Sequence, residues 1–323
     1  MLRLVTRALV AAALAAGPRA GTASPPAQCV APARPGGGFE LTCALLRAAL
    51  VRAGVVPGLR TTYLPGGVGA VAFETFVTQR PAEADTLVAF SSGSLLNIAQ
   101  GKFGKYGVDD VRWVAAVGVD YGAVTVGAAS PHRSLASLMA ALRADPQKVT
   151  FGIGGTVGGQ DWMKAALLAR AAGVEPRALR YVSFEGGGDA QVALQAGHVD
   201  VVPGDLAESE RGARDGRVRI LAVLADHRLG GRYAAVPTAA EQGYPVAWPT
   251  IRGVYLGRKV SDRDHARWVA TFDRLLASEE FARLREEHGL LPFASTGAAL
   301  ESHVENTVRD HAALARSLGL PMR

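Results

Sequence analysis

The segment VTFGIGGTVGGQDWMKAALLARAAG, residues 149–173, contains one complete structural unit. Its apolar start, Val149 to Ile153, has the length and composition of a buried strand. A glycine-rich turn follows, and an amphipathic helix is predicted from Gln160 to Ala172, with Gly173 as its C-terminal stop. A strand that leads through a glycine turn directly into a helix is the repeating unit of α/β proteins.

The same order of strand, turn and helix recurs along most of the chain. Strands are predicted at residues 61–64, 86–90 and 181–184, each leading into a glycine- or serine-rich turn. Helices are predicted at 40–53, after the capping residue Ser134, and as two amphipathic segments in the C-terminal region. Further buried strands are predicted at 111–117, 123–126, 199–202, 218–224 and 251–256. This alternation predicts an α/β fold with largely parallel sheets flanked by helices.

The composition is typical of a soluble globular chain, because 49% of the 323 residues are hydrophobic and 20% are charged. This length corresponds to about two domains. After the first twenty positions no apolar run reaches ~18 residues, the length that spans a membrane. The net charge of +6 falls to +3 without residues 1–23, which hold three arginines and no acid. No basic stripe is present, so nucleic-acid binding is not expected.

The N-terminus has the pattern of an export signal. Arg3 and Arg7 precede an apolar stretch from Ala8 to Ala16, and small residues follow at positions 21–23. Such a pattern predicts a signal peptide over residues 1–23, with cleavage after Ala23 and export of the mature protein. A short buried first helix is the alternative interpretation.

The two cysteines of the sequence, Cys29 and Cys43, lie near the start of the predicted mature chain. In an oxidising compartment two such thiols are expected to form a disulfide. The closed loop of ~15 residues would stabilise the fold by roughly 3 kcal/mol. Two buried thiols are the alternative.

Five predicted strand ends open into glycine- or serine-rich turns, and most of these turns run directly into helices. Backbone N–H groups at a helix N-terminus lack intrahelical partners and attract anions. In open α/β sheets such turns gather at the carboxyl edge of the strands, where ligands bind. Two lobes with facing edges of this kind would hold a small anion between them. The segment 152–158 lacks the spacing of a dinucleotide fingerprint, so no nucleotide cofactor is expected.

The sequence offers no catalytic or metal-binding constellation. It contains no HExxH motif, and its serine turn at 91–94 does not form a G-x-S-x-G elbow. Asp161 and Asp205 have the chemistry of general bases, but no nucleophile pairs with them, so ligand contacts or N-caps are the expected roles. We therefore predict no catalytic residue, no metal and no cofactor.

Arg252 is unusual because it interrupts an otherwise apolar strand, Ile251 to Leu256. A buried guanidinium needs an anionic partner. That partner is predicted to be a ligand carboxylate, and a salt bridge between the lobes is the alternative. Lys102 and Lys164 follow glycine turns and are expected to be solvated.

Several motifs follow one another along the mature chain: CVAPARPGGGFELTC (29–43), YLPGGVGA (63–70), FGIGGTVGGQDW (151–162), FEGGGDA (184–190), GHVD (197–200), VPTAAEQG (236–243) and WPTIRG (248–253). As an ordered set they resemble the periplasmic solute-binding receptors of tripartite tricarboxylate transporters. Glu40, where the general family has Asp, and Arg252 resemble the citrate/tricarballylate-type branch. The resemblance implies a two-lobe periplasmic binding protein of type II, the Venus-flytrap class.

The resemblance also implies that such a receptor closes on a small carboxylate, here a tricarboxylate such as citrate. The receptor is expected to be a monomer that delivers its ligand to a two-subunit membrane carrier. The lobes are predicted to comprise residues 24–124 and 241–323 for the first and 125–240 for the second. A ligand-presenting subunit for a sensor kinase and an exported α/β hydrolase are the alternative functions.

The motifs and the polar turns together predict one ligand site. Its predicted residues are Gly37, Gly38, Phe39, Glu40, Gly66, Gly67, Ser91, Ser92, Ser94, Gly155, Thr156, Gln160, Asp161, Glu185, Gly186, Gly187, Asp205 and Arg252.

Overall fold

The computed structural model describes residues 27–322. The predicted signal peptide, residues 1–23, and its cleavage site lie outside the described residues. Within 27–322, none of the helices combines the length and the apolar composition needed to cross a membrane.

The first part of the chain builds three strands and three helices. They are β1 (Gln28–Ala31), α1 (Gly38–Arg52), β2 (Arg60–Tyr63), α2 (Ala70–Glu74), β3 (Thr86–Ser91) and α3 (Ser92–Ala99). β1 lies between β2 and β3 and pairs with both in parallel. Ser91 caps α3 by accepting a hydrogen bond from the Gly93 N–H, so the predicted serine turn is the start of this helix.

The long strand β4 (Val111–Gly127) connects the two halves of the fold. Its residues 111–121 pair antiparallel with β9 (Pro249–Gly257), and its residues 122–127 pair antiparallel with β8 (Val218–Leu224). The two strands predicted at 111–117 and 123–126 are therefore one strand. The polar Asp120 falls in the gap between the two predicted strands. In the structure its side chain is buried and paired with Arg252, so the strand continues through it.

The middle of the chain forms the second half of the fold. Its elements before β8 are α4 (Leu135–Ala144), β5 (Thr150–Gly154), α5 (Gln160–Ala171), β6 (Arg180–Phe184), α6 (Gly187–Gln195), β7 (Val201–Val202) and α7 (Leu206–Arg214). β5 pairs in parallel with β6 and β7. Helix α7 was not predicted, because its segment DLAESERGAR offers few apolar residues to reveal a helical period.

After β9 the chain is mostly helical. The elements are α8 (Asp262–Leu276), α9 (Glu279–Glu287), β10 (Ser295–Thr296) and α10 (Gly297–Ser317). The sequence predicts two amphipathic helices in this region, which correspond to α8 and α10. The short helix α9 lies between them and has no counterpart in the prediction.

The strand order is β2-β1-β3-β9-β4-β7-β5-β6, with β8 and β10 paired to β4. Parallel strands form the outer part of each half, and antiparallel pairing is concentrated at β4 and β9, where the chain passes between the halves. Helices pack on these strands over separate apolar clusters, one containing Leu45 and Trp268 and another containing Met163 and Leu168. The predicted α/β class is confirmed.

Helix α10 contacts clusters of both halves. Leu300 and Val304, near its start, belong to a cluster that contains Phe73. Leu314, near its end, packs against the cluster of the second half. One continuous helix therefore lies across the two halves.

The predicted disulfide between Cys29 and Cys43 is confirmed. It joins β1 to α1, with a Cα–Cα distance of 5.6 Å. The bond closes the loop that holds the glycine turn at 36–38. The turn is therefore held at both ends, by a strand and by a helix that are covalently linked.

Replacing Cys29 and Cys43 together with Ala is expected to lower the free energy of unfolding by about 2–4 kcal/mol, because the unfolded chain regains the freedom of the loop. Guanidinium unfolding followed by circular dichroism measures this loss. The wild-type protein unfolded under reducing conditions serves as the control and should match the variant. An unchanged unfolding midpoint in the double variant would contradict the stabilising role.

Candidate functional site

The glycine and serine turns of both halves converge on one cavity of about 320 Å³. Helices α1, α3, α5 and α6 all begin at its wall. The predicted residues that line it are Gly37, Gly38, Phe39, Gly67, Ser91, Thr156, Gln160, Asp161, Glu185, Gly186, Gly187, Asp205 and Arg252. Most of the predicted site residues are thus brought together, and their roles in ligand binding stay predictions.

The other predicted residues do not line the cavity. The hydroxyl of Ser92 accepts a hydrogen bond from the Ile251 N–H at 2.9 Å, and the hydroxyl of Ser94 accepts one from the Ser91 N–H at 3.3 Å. Gly66 and Gly155 have positive φ angles of 136° and 95°, which favour glycine at these turns. Ser92 and Ser94 hold α3 in position, and the two glycines set the paths of their turns.

Glu40 also lies outside the lining. Its carboxylate accepts a hydrogen bond from the Gly36 N–H at 2.6 Å and another from the Tyr63 hydroxyl. Two further turn amides bond to carboxylates of this chain. The Gly154 N–H donates to Asp161 Oδ2 at 2.8 Å, and the Gly38 N–H donates to Glu208 Oε1 at 2.6 Å. Internal carboxyls therefore occupy three amides of these turns, including that of Gly38, which is one of the predicted ligand-binding residues.

Arg252 is 2% exposed and has carboxylate partners within the chain. Its Nη2 lies 2.8 Å from Asp120 Oδ2 and 2.8 Å from Asp205 Oδ2. Glu208 Oε1 lies 3.9 Å away. The salt bridge considered from the sequence is therefore present, and contact of Arg252 with a ligand carboxylate stays a prediction. Asp120 belongs to β4, and Asp205 immediately precedes α7, so the ion pairs join both halves.

Gly38 is required by this arrangement. A methyl group at position 38 would overlap the guanidinium of Arg252. The start of α1 therefore lies directly against the buried cation. The glycine at the first residue of α1 is therefore explained by the close approach of Arg252 and not by its own backbone conformation.

Lys164 is completely buried, so the expectation that it would be solvated was wrong. Its Nζ lies 2.8 Å from Asp205 Oδ1, 3.0 Å from Asp161 Oδ1 and 2.8 Å from the Gly204 carbonyl oxygen. It lies one turn beyond the start of α5, on the side of the helix that packs against the strands. Asp205 is shared by Lys164 and Arg252 and connects their ion pairs.

Burial governs the protonation of the acids in this cluster. Burial raises the pKa of Asp120 and of Asp161, although Arg252 and Lys164 respectively oppose the rise. For Asp205 the same two cations outweigh burial, and its pKa is lowered. Burial followed by the neighbouring Asp205 raises the pKa of Glu208 to about 8. Asp205 is thus the firmly ionised centre, and Glu208 carries a proton at neutral pH.

The two cations stay charged despite their burial. Burial alone would lower the pKa of Lys164, but Asp161 and Asp205 outweigh it and raise the pKa. Asp120 and Asp205 do the same for Arg252. Among the described residues, this cluster contains four carboxyl groups and two cations. The carboxyl groups of the cluster therefore outnumber its cations.

The lining of the cavity also carries donors and an unpaired acceptor. Lys102 lines the cavity, where its Nζ donates to the Val157 carbonyl at 2.9 Å. Gln160 Nε2 donates to Asp205 Oδ2 at 3.2 Å, which leaves Gln160 Oε1 as a buried acceptor with no hydrogen-bond partner. A ligand group that carries an N–H or O–H would satisfy this oxygen.

The comparison with known families gives a direct match. The model of the family described as "Tripartite tricarboxylate transporter family receptor" matches residues 67–320. The chain belongs to this family. No curated sequence matches it.

Solved structures similar to this receptor share its fold at low sequence identity. The periplasmic binding protein BugD is 17% identical, with 92% of this chain and 99% of that chain covered and a TM-score of 0.80. R. palustris Rpa4515 with adipate is 21% identical, covers 92% and 98%, and has a TM-score of 0.79. MatC from Rhodopseudomonas palustris with bound malate is 19% identical, covers 90% and 98%, and has a TM-score of 0.72. The predicted two-lobe binding-protein fold is therefore confirmed.

Membership in this family makes the chain a solute-binding receptor and not an enzyme. The site of this receptor includes residues that the sequence interpretation did not select, above all Asp120 and Glu208. The signal for Glu208 in the sequence is Val202-Pro203-Gly204, one more strand end that leads into a helix. Asp120 had no such signal, because a single acid inside a strand does not show its partner.

Replacing Arg252 with Met is expected to lower the free energy of unfolding by ~3–5 kcal/mol, because Asp120 would be left buried without its cation. Urea unfolding measures the loss. The matched control is Arg258→Met, which removes an exposed arginine paired with Asp110 just after the same strand. Its cost should stay below ~1 kcal/mol. Equal stability of the two variants would contradict the structural role of Arg252.

Replacing Glu208 with Gln is expected to change how stability depends on pH. The folded receptor keeps a proton on Glu208 up to about pH 8, whereas the unfolded chain releases it near the ordinary pKa of 4.5. The contribution of Glu208 to stability is therefore complete below pH 4.5 and is lost as the pH rises through about 8. The wild type should lose stability relative to the variant between pH 5 and pH 8.5, by at most ~1.4 kcal/mol per pH unit.

Urea unfolding at several pH values measures this difference in the free energy of unfolding. The neighbouring Asp205, Asp161, Asp120 and Arg252 are present in both proteins, so the difference isolates Glu208. The exposed Glu301 provides the control, since Glu301→Gln should follow the wild type at every pH. A difference between wild type and Glu208→Gln that stays constant over this range would contradict the raised pKa.

Proposed function

We propose that this receptor captures a small organic carboxylate in the periplasm and delivers it to the membrane carrier of a tripartite transporter. The observation that carries the proposal is the convergence of four helix N-termini from both halves on one cavity of about 320 Å³. This volume lies at the lower end of the range for small-molecule sites. The first N–H groups of each helix have no intrahelical partner and favour an anion.

Two similar structures support a carboxylate as the ligand. Rpa4515 is described with adipate and MatC with malate. Both are dicarboxylates. In this chain Lys102 lines the cavity, and Thr156 lines it at the turn before α5. A ligand carboxylate placed against Lys102 would meet a cation of the lining.

The tricarboxylate implied by the resemblance is a less suitable ligand for this cavity. Citrate carries up to three negative charges, and Asp120, Asp161 and Asp205 already pair with Arg252 and Lys164. Each additional charge would have to be desolvated beside like charges. We therefore propose an organic acid with fewer than three carboxylates.

Transport follows from capture by a closing receptor. A ligand that contacts helix N-termini of both lobes binds the closed form more tightly than the open form, and this difference shifts the population towards closure. The two-subunit carrier would then recognise the closed receptor. No covalent step is required, since recognition uses hydrogen bonds and charge alone.

A thermal-shift screen against mono-, di- and tricarboxylates tests the proposal. An acid present at 100 times its Kd stabilises the folded receptor by about 2.7 kcal/mol, which should raise its Tm by several degrees. Thr156→Trp fills the cavity and should abolish the shift. Thr78→Trp, at an exposed position away from the cavity, should preserve it. A wild-type receptor whose Tm responds to no carboxylate would contradict the proposed function.

A further inference from the structure

Glu208 extends from the first turn of α7 to the start of another helix. Its Oε1 accepts the hydrogen bond of the Gly38 N–H at 2.6 Å, at the first residue of α1. The Glu208 carboxyl also lies close to Arg252 and to the start of α6. Arg252 Nη2 lies 3.9 Å away, and a methyl group at Gly187, the first residue of α6, would overlap the Glu208 carboxyl.

The position of this carboxyl has the properties of an anion site. The N-termini of α1 and α6 meet there, and a buried guanidinium lies beside them. Helix N-termini and guanidinium groups are the features that bind carboxylates in proteins. The glycines at positions 38 and 187 permit the close approach that such a site needs. In this receptor the site is filled by the carboxyl of Glu208, a side chain of the chain itself, which is protonated at neutral pH.

What remains of the cavity provides few groups for a second anion. Besides Arg252, the cationic side chains that line it within residues 27–322 are Arg34 and Lys102. The lining acids Glu185 and Asp189 lie on the same side as Glu208, at the turn before α6 and in its first turn. An extra ligand carboxylate would therefore meet like charges wherever it approached this turn.

We propose that Glu208 is a specificity-determining residue that takes the place of one ligand carboxylate, so that the receptor selects acids with a single carboxylate. The inference rests on the proposed function, since it presumes that the cavity binds organic acids. The carboxylate of the ligand lies towards Lys102 and Thr156. The other end of the ligand lies beside Glu208 and carries no charge.

Matched pairs of acids test this inference. In each pair one methyl group is exchanged for a carboxylate: butanoate and succinate, 3-hydroxybutanoate and malate, hexanoate and adipate. Isothermal titration calorimetry at pH 7 gives the Kd of every member. The wild-type receptor should bind the monoacid of its best pair at least tenfold more tightly than the diacid.

Two variants of Glu208 separate its volume from its charge. Glu208→Ala empties the site and frees the Gly38 amide, so the diacid should gain at least tenfold and the preference should reverse. Glu208→Gln keeps the volume and the acceptor for the Gly38 N–H, so the preference for the monoacid should persist. The control is Glu210→Ala on the same helix, whose carboxylate pairs with Arg214 and Arg232. This variant should retain the wild-type preference.

The outcomes distinguish this inference from the proposed function. A wild-type receptor that binds diacids as tightly as monoacids, or more tightly, contradicts the role of Glu208 and leaves carboxylate capture intact. A receptor that binds none of these acids contradicts the proposed function itself. A folded Glu208→Ala variant without the gain for diacids also contradicts the inference. If that variant does not fold, the test uses the wild type and Glu208→Gln alone. Both should bind the monoacid more tightly than the diacid, and the absence of this preference in either would contradict the inference.

Discussion

The site depends on one shared carboxylate, that of Asp205. One of its oxygens accepts a hydrogen bond from Lys164 and the other accepts one from Arg252, each at 2.8 Å. Lys164 belongs to α5 and Arg252 to β9, so a single buried side chain joins two halves that are built from different parts of the chain. Buried charges are tolerated only when each has a partner. Gln160 also donates to Asp205, so this carboxylate connects three polar side chains of the site.

The carboxyl groups of this chain change what the glycine turns can offer to a ligand. In many binding sites such turns leave their amides available to a ligand. Here the amides of Gly36, Gly38 and Gly154 already bond to Glu40, Glu208 and Asp161. The receptor thus satisfies part of its own anion-binding capacity. Selectivity can arise from which amides are occupied as much as from which side chains are present.

The sequence predicts what is local and misses what is distant. The unit from Val149 to Gly173 could be assigned because strand, turn and helix are adjacent in the chain. Glu208 and Gly38 are 170 residues apart, and Arg252 and Asp120 are 132 residues apart. Contacts between such distant residues cannot be predicted from their spacing in the sequence. Even the correct observation that Arg252 needs an anion could not identify the partner. That choice is made by the strand register of β4 and β9.

Helix α10 adds a mechanical consequence for the receptor. Its 21 residues pack against the apolar clusters of both halves, through Leu300 and Val304 at one end and Leu314 at the other. Any separation of the halves would have to strain α10 or slide it along one of the two apolar clusters that it contacts. A movement between the halves would therefore depend partly on the apolar contacts of α10, which are made by residues that do not line the cavity. Substitutions at Leu300, Val304 or Leu314 would alter this movement without changing the lining.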